Sequence, residues 1–345
     1  MARNASNTLL QQAKKLKSDE FYTLLPDVES ELQHYTKHFR GKVVYCNCDD
    51  PRTSNFYRYF AENFQRLGLK KLIAACYQKS RRDLFEMENN TSGFYYIYTG
   101  NKQQNLIPID TDIIHFQGDG DFRSKESIDL LQQADIVVTN PPFSLFRDYV
   151  AQLIKYKKSF LIIGNINAIT YKEIFHLIKE NQVWLGINLG RGISGFIVPE
   201  HYELYGTETR IDNNGNRIIS PNNCLWLTNM DNAKRNEKIV LTKRYVGNES
   251  AYQRYDNYDG INVNKTQDIP MDYTGYMGVP ITFIDKYNPD QFEIIDCCEP
   301  AIDLDVYIKC SYFNEHKSRQ VTYKGKLCQK TYHRVLIRNK KPQKP

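Results

Sequence analysis

The 345-residue sequence predicts an α/β fold in which a mostly parallel sheet is covered by helices on both faces and is followed by a separate C-terminal region. Two observations support this fold class. Short apolar segments alternate with amphipathic segments from residue 42 to residue 228, and the alternation stops near residue 230. Strands buried on both faces of a parallel sheet are continuous apolar runs, and the crossovers between them are usually helices. We therefore divide the chain into residues 1–230 and residues 231–345.

Five compact apolar segments have the composition of buried strands, and two weaker segments join them. The five are residues 42–46, 72–77, 135–139, 160–163 and 183–186, and the weaker two are residues 93–98 and 113–116. Apolar residues at helical spacing predict helices between the strands. These helices cover residues 18–39, 55–67, 127–132, 143–154 and 171–179.

A hairpin and one last sheet strand are predicted after residue 191. Asp212-Asn213-Asn214-Gly215 lies between residues 209–211 and residues 216–220, and such a sequence favours a tight turn between two strands. Residues 224–228 form another apolar strand. The following segment, up to residue 272, is polar and has little periodicity.

The distribution of charge indicates a polyanionic partner. The net charge is +6, but residues 306–345 contain eleven Lys or Arg and one acid, and residues 1–17 contain four basic residues and no acid. Two basic ends on an acidic body favour contact with nucleic acid. For residues 338–345, which are dominated by Lys and Pro, a solvated tail is the simpler interpretation.

No targeting or membrane segment is evident, so we expect a cytoplasmic protein. The first 17 residues lack the apolar stretch of a signal peptide, and no run approaches the ~18 apolar residues of a membrane span. In a reducing cytoplasm the eight cysteines should be free thiols. We predict no metal site, because the C-terminal Cys and His residues lack the paired spacing of zinc ligands; these are Cys297, Cys298, Cys310, His316, Cys328 and His333.

The tetrapeptide Asn140-Pro141-Pro142-Phe143 directly follows a buried strand and predicts methyl transfer to an amino nitrogen. An amino group conjugated to a purine ring is a poor nucleophile. The Asn140 side-chain carbonyl and the Pro141 backbone carbonyl can accept both of its hydrogens. Two prolines stiffen the loop, and the Phe143 ring offers a face for stacking. A sulfonium methyl donor then needs mainly alignment, without a metal or a strong base.

Other interpretations of this tetrapeptide stay open at this point. It could be only a turn after a strand, since Asn-Pro and Pro-Pro are turn dipeptides. Amino-methyltransferases that act on RNA or on protein glutamine use similar loops, and a DNA-binding protein without catalysis is a third alternative.

Long sequence strings resemble the EcoRI-type DNA adenine-N6 modification methyltransferases. The matching strings are Ser18-Asp-Glu-Phe-Tyr-Thr23, Val43-Val-Tyr-Cys-Asn-Cys-Asp-Asp-Pro51, Gly118-Asp-Gly-Asp-Phe-Arg-Ser124, Asp135-Ile-Val-Val-Thr-Asn-Pro-Pro-Phe-Ser-Leu-Phe146 and Gly190-Arg-Gly-Ile-Ser-Gly-Phe-Ile-Val-Pro-Glu200. The resemblance extends to about residue 290, and it implies no roles for the last 55 residues.

The resemblance implies a fold, a cofactor and a substrate. The fold would be a Rossmann-like class I methyltransferase with a mostly parallel seven-stranded sheet, and residues 231–345 would form a target-recognition region with a basic tail. The methyl donor would be S-adenosyl-L-methionine. The acceptor would be N6 of an adenine flipped out of double-stranded DNA, within a GAATTC-like site of a restriction-modification system. We expect a monomer, because one copy suffices for a hemimethylated site.

The resemblance also implies roles for individual residues. Tyr22 and Thr23 would approach the methionine part of the cofactor, and the loop from Asn47 through Cys48 and Asp49 to Asp50 would lie near its amino group or ribose. This loop lacks the glycines that are usual in the family. For Asp49 and Asp50, capping of the next helix is the alternative.

Further roles concern the adenine of the cofactor, the target base and the DNA. Asp121 would accept from the cofactor's adenine amino group and Phe122 would pack on its ring, while a plain acidic turn is the alternative. Phe143 and Phe196 would stack on the target base, although Phe196 could equally be core. Six basic residues are candidates for DNA contact, with phosphate more probable than base edges: Arg191, Arg210, Arg217, Lys243, Arg244 and Arg254.

Overall fold

The chain folds into two compact units. The first comprises residues 1–168 and 184–232, and the second comprises residues 169–183 and 233–345. The predicted boundary at residue 230 lies close to the observed division at 232, but the second unit also contains the helical segment 169–183. The computed structural model describes residues 22–78, 92–189, 193–198, 209–213, 215–220, 223–254, 259–297, 320–323, 326–329 and 334–343.

An eight-stranded mixed sheet forms the centre of the first unit, in the order β5-β4-β3-β2-β6-β7-β12-β8. The strands are β2 (Val43–Asn47), β3 (Lys71–Cys76), β4 (Phe94–Tyr98), β5 (Ile114–His115), β6 (Ile136–Thr139), β7 (Ser159–Asn165), β8 (Trp184–Leu189) and β12 (Cys224–Thr228). All the strands predicted in this region are present, within one to three residues at each end.

The predicted mostly parallel, seven-stranded sheet differs from the observed one. Parallel pairs join β3, β2, β6 and β7, which form the middle of the sheet. The weak strand β4 pairs antiparallel with β3, β5 pairs antiparallel with β4, and β12 inserts antiparallel between β7 and β8. β5 and β8 therefore run in the direction of the four central strands, and only β4 and β12 of these eight are reversed. In β4, buried and half-buried residues alternate. The α/β class is therefore confirmed, and the observed sheet has eight strands of mixed orientation where seven were predicted.

Helices of the first unit begin and end close to their predicted positions, except that the helix predicted from Ser18 begins only at Leu25, after a strand at Tyr22–Thr23. They are α1 (Leu25–Leu32), α2 (Thr36–Phe39), α3 (Asn55–Glu62), α4 (Phe64–Leu67), α5 (Lys125–Gln133) and α6 (Phe146–Lys155). The predicted helix over residues 55–67 is interrupted at Asn63, and Gly68 ends it in the left-handed conformation that glycine favours. Aromatic residues of α3 are buried in the core.

A topological switch point lies between β2 and β6. From β2 the chain proceeds to β3 on one side of the sheet, and it later returns through β6 to build the other side. The two strands pair only at Val44–Ile136 and Tyr45–Val137, so no further backbone pair joins them toward their carboxyl ends. In open α/β sheets, ligands bind outside the carboxyl ends of the strands at such a point.

A second, smaller sheet of the first unit has the order β1-β9-β11-β10. Its strands are β1 (Tyr22–Thr23), β9 (Phe196–Val198), β10 (Thr209–Ile211) and β11 (Arg217–Ile219). β10 and β11 pair antiparallel, which confirms the predicted hairpin.

The edge strand β8 is covered by a buried carboxylate. Glu31 of α1 is fully buried, and its oxygens accept 2.8 Å hydrogen bonds from the backbone amides of Ile187 and Asn188. A bulge in the pairing with β12 lies at the same place. Gly186 makes this approach possible, because a Cβ there would lie 2.4 Å from the Glu31 Oε1. Burial raises the pKa of Glu31.

The second unit contains one helix, two sheets and long irregular segments among its described residues. The elements are α7 (Lys172–Lys179), β13 (Gly260–Asn262), β14 (Tyr276–Pro280), β15 (Phe292–Cys297), β16 (Gln320–Tyr323), β17 (Lys326–Gln329) and β18 (Arg334–Asn339). Four strands form a sheet in the order β13-β14-β18-β15, and β16 pairs with β17. The segment from 233 to 254 contains only short 3₁₀ turns, as its lack of periodicity predicts.

Several sequence predictions concern residues outside this description. They include the basic segment 1–17, the family string before Tyr22, and Cys298, Cys310, His316 and His333. Within the described ranges, Cys46, Cys48, Cys76 and Cys224 are free thiols. The helices described here are all too short or too polar to span a membrane.

Candidate active site

A cavity of about 400 Å³ lies at the carboxyl ends of β2, β3 and β6, at the switch point of the sheet. Most of the predicted site residues line it, namely Tyr22, Thr23, Cys48, Asp49, Asp50, Asp121, Phe122, Asn140 and Pro142. Asn47, Pro141, Phe143 and Phe196 do not. Residues from five separate stretches of sequence thus meet at one place in the first unit.

The strand β1 brings Tyr22 and Thr23 to the cavity. The Asn55 side chain at the start of α3 donates a 2.8 Å hydrogen bond to the Thr23 carbonyl, so this short strand is tied to the helix as well as to β9. The Thr23 hydroxyl oxygen is buried and has no hydrogen-bond partner within the described part of the chain. A buried hydroxyl in a cavity wall is available to a ligand.

The glycine-free loop after β2 reaches its turn through Cys48. Cys48 has a φ of 85°, in the left-handed region that glycine usually occupies. Its amide and the amide of Asp49 both donate to the Ala75 carbonyl, at 3.0 and 2.8 Å. A cysteine therefore performs the turn that a glycine performs elsewhere in such loops. Burial raises the pKa of the Cys48 thiol, so it stays protonated and is no nucleophile.

Asp49 is buried, and both of its carboxyl oxygens are engaged inside the protein. The Ser54 hydroxyl lies 2.6 Å from Oδ1, and the Thr139 hydroxyl lies 2.5 Å from Oδ2. The Thr139 hydroxyl also contacts the Asn47 carbonyl. Ser54 caps α3 by accepting from the Phe56 and Tyr57 amides, so neither Asp49 nor Asp50 is the cap. Burial raises the pKa of Asp49 to about 7.

Asp50 and Asp121 are each held by the arginine two residues later in the same way. The Arg52 amide, Nε and Nη2 donate to the Asp50 carboxylate at 2.9, 3.1 and 2.9 Å. The same three groups of Arg123 donate to Asp121 at 2.8, 2.9 and 2.7 Å. We call these two arrangements the Asp-x-Arg clasps. The hydrogen bonds from Arg123 lower the pKa of Asp121, so it is an ionised acceptor at neutral pH.

Phe122 is fixed in the cavity wall by a buried tyrosine. Its ring lies 5.0 Å from the Tyr149 ring of α6 in an edge-to-face arrangement. Gly120, with a φ of 81°, lets the acidic turn approach β3, because a Cβ there would lie 2.8 Å from the Cys76 carbonyl oxygen. Phe122 is thereby placed beside Asp121 in the wall of the cavity.

The Asn140-Pro141-Pro142-Phe143 segment continues directly from β6. Asn140 and Pro142 face the cavity, and the Leu145 amide donates to the Pro142 carbonyl at 3.0 Å, which begins a 3₁₀ turn before α6. Pro141 is buried and Phe143 is half-buried beside the cavity.

Phe196 occupies a packing position. Its ring is fully buried in the core and lies 6.4 Å from the Phe143 ring, edge to face. No face of Phe196 is open to a base in this structure, and the ring supports Phe143 from the core side.

The candidate DNA-binding residues fall into different settings. In the first unit, Arg210 donates to the Ser194 carbonyl and to the Ser220 hydroxyl, and Arg217 lies in β11. In the second unit, Arg254 forms a 2.6 Å ion pair with Asp259. Arg191 lies outside the described residues.

Lys243 and Arg244 differ from these arginines. Both are exposed and line a polar cavity of about 510 Å³ in the second unit. Asn248, Tyr252, Asn262 and Asn264 line the same cavity. Of the five candidates within the described residues, Lys243 and Arg244 are the two that line this cavity.

Several residues that form the site were not predicted from the sequence. Ser54 joins the cofactor loop to α3, Arg52 and Arg123 hold the two carboxylates, and Cys76 and Tyr77 add a wall at the end of β3. A repeated Asp-x-Arg pattern at 50–52 and 121–123 was a usable signal for the clasps. Among the described residues, no group of three His, Cys, Asp or Glu is arranged to hold a metal.

The chain is similar in sequence to proteins of one known family. The sequence profile of a family described as "Adenine-specific methyltransferase EcoRI" matches residues 9–340, which includes most of the last 55 residues. The chain is 60% identical to Type II methyltransferase M.EcoRI of Escherichia coli over 346 residues, covering 100% of both chains. It is 38% identical to Type II methyltransferase M.MpnI of Mycoplasma pneumoniae, over 95% of this chain and 97% of the relative. No solved structure matches the chain.

Proposed function

The chain belongs to the EcoRI-type family of adenine-specific methyltransferases, and from this premise we propose that it transfers a methyl group from S-adenosylmethionine to N6 of an adenine in duplex DNA. The observation that carries the proposal is the position of Asn140. It continues from β6 into a cavity that also contains Thr23, Asp121 and Phe122. The residue proposed to hold the target amino group and the proposed cofactor site thus share one cavity.

The cavity fits S-adenosylmethionine in size and in chemistry. About 400 Å³ lies within the usual range of roughly 300–1,000 Å³ for small-molecule sites. The ionised Asp121 can accept from the adenine amino group, and the Phe122 ring can pack on the adenine. The buried Thr23 hydroxyl can bond to the polar methionine end. Asp50 is the remaining carboxylate for the ribose or amino group, since it is half-buried at the cavity, whereas Asp49 is buried and bonded to Ser54 and Thr139.

The protein's part in the chemistry is to hold the target amino group. The Asn140 side-chain carbonyl and the Pro141 backbone carbonyl accept its two hydrogens, which favours a pyramidal nitrogen with an available lone pair. When bound, S-adenosylmethionine supplies an electrophilic methyl group. Alignment and exclusion of water provide most of the acceleration, and the proton leaves to solvent after transfer.

The half-buried ring of Phe143 is the proposed stacking face for the extruded adenine. Extrusion costs a few kcal/mol, which contacts in the pocket offset. Phe196 contributes by supporting Phe143, because its own ring is buried.

The second unit is the proposed target-recognition region, with Lys243 and Arg244 as contacts to DNA phosphates. We propose a GAATTC-like target within a restriction-modification system and an enzyme that works as a monomer. Mapping N6-methyladenine in DNA treated with the enzyme would give the target directly, and a different methylated sequence would contradict this part of the proposal.

The central test uses radiolabelled cofactor with duplex DNA, ribosomal RNA and protein as competing acceptors. We expect label at adenine N6 in DNA only. The variant Asn140→Ala should lose about 100-fold or more in the rate of transfer, similar to the loss of a key polar group in other active sites, while cofactor and DNA binding persist. Label in RNA or protein but not in DNA, or full activity of N140A, would overturn the proposal.

A further inference from the structure

A chain of four groups crosses the gap between β2 and β6 beside Asn140. The Ser54 hydroxyl, the Asp49 carboxyl, the Thr139 hydroxyl and the Asn47 carbonyl follow one another in hydrogen-bond contact. All four residues are buried. This chain lies where the backbone pairing of the two strands has already ended.

The number of protons available to these four groups determines whether the Asp49 carboxyl group is protonated. Ser54 has one hydroxyl proton, and because its oxygen accepts from two amides of α3, that proton points to Asp49 Oδ1. Thr139 also has one proton, yet it contacts two oxygens. The Asn47 carbonyl has no proton to donate, so it must receive the one from Thr139. The 2.5 Å contact between Thr139 and Asp49 Oδ2 then requires a proton on the carboxyl group.

From this count we infer that Asp49 is a positioning residue that works as a neutral carboxylic acid, donating to Thr139 and so joining the cofactor loop to the loop of Asn140. The inference rests on the proposed methyl transfer, because Asn140 directly follows Thr139 in the sequence. Asp49 is thereby removed from the carboxylates that contact the cofactor.

The surroundings of Asp49 favour the neutral form. Burial raises its pKa to about 7, which the hydrogen bonds from Ser54 and Thr139 only partly offset, and the neighbouring Asp50 raises it further. Among the described residues, the other titratable groups that interact with Asp49 are Cys46 of β2, Cys48 of the following loop and Tyr149 of α6. Burial raises the pKa of all three, so they are uncharged near neutral pH.

Ionisation of Asp49 would break this series of hydrogen bonds between Thr139 and the Asn47 backbone carbonyl. The Thr139 proton would turn to the new carboxylate, and the Asn47 carbonyl would then face a bare hydroxyl oxygen. The hydrogen bond between Thr139 at the end of β6 and the Asn47 backbone carbonyl at the end of β2 would be lost beside Asn140. Methyl transfer should therefore fall as the pH rises through about 7, the pKa of Asp49 in the folded protein.

The test is the variant Asp49→Asn, in which an amide keeps both hydrogen bonds and cannot ionise. Its carbonyl would accept from Ser54 and its amide would donate to Thr139. We expect D49N to methylate DNA within about threefold of wild type at pH 6 and to lack the alkaline fall. Asp50→Asn is the matched control and should keep that fall, whatever its rate. A D49N enzyme that is inactive at pH 6 although folded, or that keeps the fall, would overturn the inference.

A measurement without activity separates this inference from the proposed function. The infrared difference spectrum of the full chain between pH 6 and pH 8 should show loss of a protonated carboxyl band, and D49N should lack that band. If wild type does not methylate DNA but the band is present, the proposed function fails and the protonation of Asp49 stands. If DNA is methylated and the band is absent at pH 6, only the inference fails. We expect Thr139→Val to lower the rate of methyl transfer at every pH. If T139V also lacks the alkaline fall in rate, the link from Asp49 through Thr139 to Asn140 is confirmed.

Discussion

Thr23 of β1 and Phe196 of β9 are paired residues of two antiparallel strands. Thr23 lines the proposed cofactor cavity, and the Phe196 ring supports Phe143 at 6.4 Å. One strand pair therefore connects the cofactor wall with the ring that would receive the target base. A change at Phe196 should therefore affect both the cofactor wall at Thr23 and the position of the Phe143 ring.

We predict opposite patterns for Phe196→Ala and Phe143→Ala. Because Phe196 is fully buried, its truncation should cost about 3–5 kcal/mol of unfolding free energy and raise the KM for the cofactor. Phe143 is half-buried, so F143A should remain stable but bind DNA with the target adenine less well extruded. Thermal unfolding and the fluorescence of 2-aminopurine at the target position measure the two effects. Equal stability losses in the two variants would contradict the assignment.

Cys48 should tolerate glycine better than valine. Its φ of 85° is strained for a side chain and worst for a β-branched one, at a cost of about 1–3 kcal/mol. C48G should stay within about 1 kcal/mol of wild type in unfolding free energy and keep most activity. C48V should lose about 2 kcal/mol or more. Cys46→Val, in the adjoining strand, is the control; if it is as harmful as C48V, volume and not backbone strain explains the loss.

Loss of the second clasp should make cofactor binding sensitive to acid. Hydrogen bonds from Arg123 lower the pKa of Asp121. In wild type this carboxylate therefore stays ionised at pH values below the usual pKa of an aspartate. In Arg123→Gln the pKa should rise, and the cofactor Kd should increase more at pH 5 than at pH 8. Titration of cofactor binding at the two pH values measures this. Arg52→Gln tests the other clasp, and a Kd ratio in R123Q equal to that of wild type would show that the clasp does not tune Asp121.

Lys243 and Arg244 should account for part of the salt dependence of DNA binding. The slope of log K against log salt is negative, and each lost phosphate contact makes it shallower by roughly 1, so Lys243→Ala with Arg244→Ala should make it shallower by about 2. Arg254→Ala is the control, because Arg254 is already paired with Asp259, and its slope should stay near that of wild type. Binding measured across several salt concentrations decides the matter. An unchanged slope in the double variant would place the phosphate contacts elsewhere.

Local sequence patterns predicted most of the first unit because local and tertiary preferences agree there. The apolar run before Asn140 becomes β6, and the Asp212–Gly215 turn joins β10 to β11 as its sequence indicates. The orientation of β4 and the insertion of β12 between β7 and β8 were not predictable, because neither depends on the residues within the strand. They depend on where the connecting segments lead the chain.

The site residues show the same limit. From the sequence we predicted that Asn140, Asp121 and Phe122 belong to one site, and all three line the same cavity. The sequence could not show which of Asp49 and Asp50 is available to the cofactor. That distinction depends on Thr139, which is 90 residues away from Asp49 in sequence. The left-handed Cys48 was equally hidden, because a cysteine gives no signal for such a conformation.

The carboxylate of Glu31 has a consequence for how the protein behaves at high concentration. An open strand at the border of a sheet offers unpaired amides to any other extended chain, and this is a common start of aggregation. Glu31 occupies the outward amides of Ile187 and Asn188, and the bulge in β8 disturbs the regular spacing that an added strand would need. At Ile187 and Asn188, a second copy of the enzyme therefore meets amides that are already bonded to Glu31 when it approaches this border with a strand of its own.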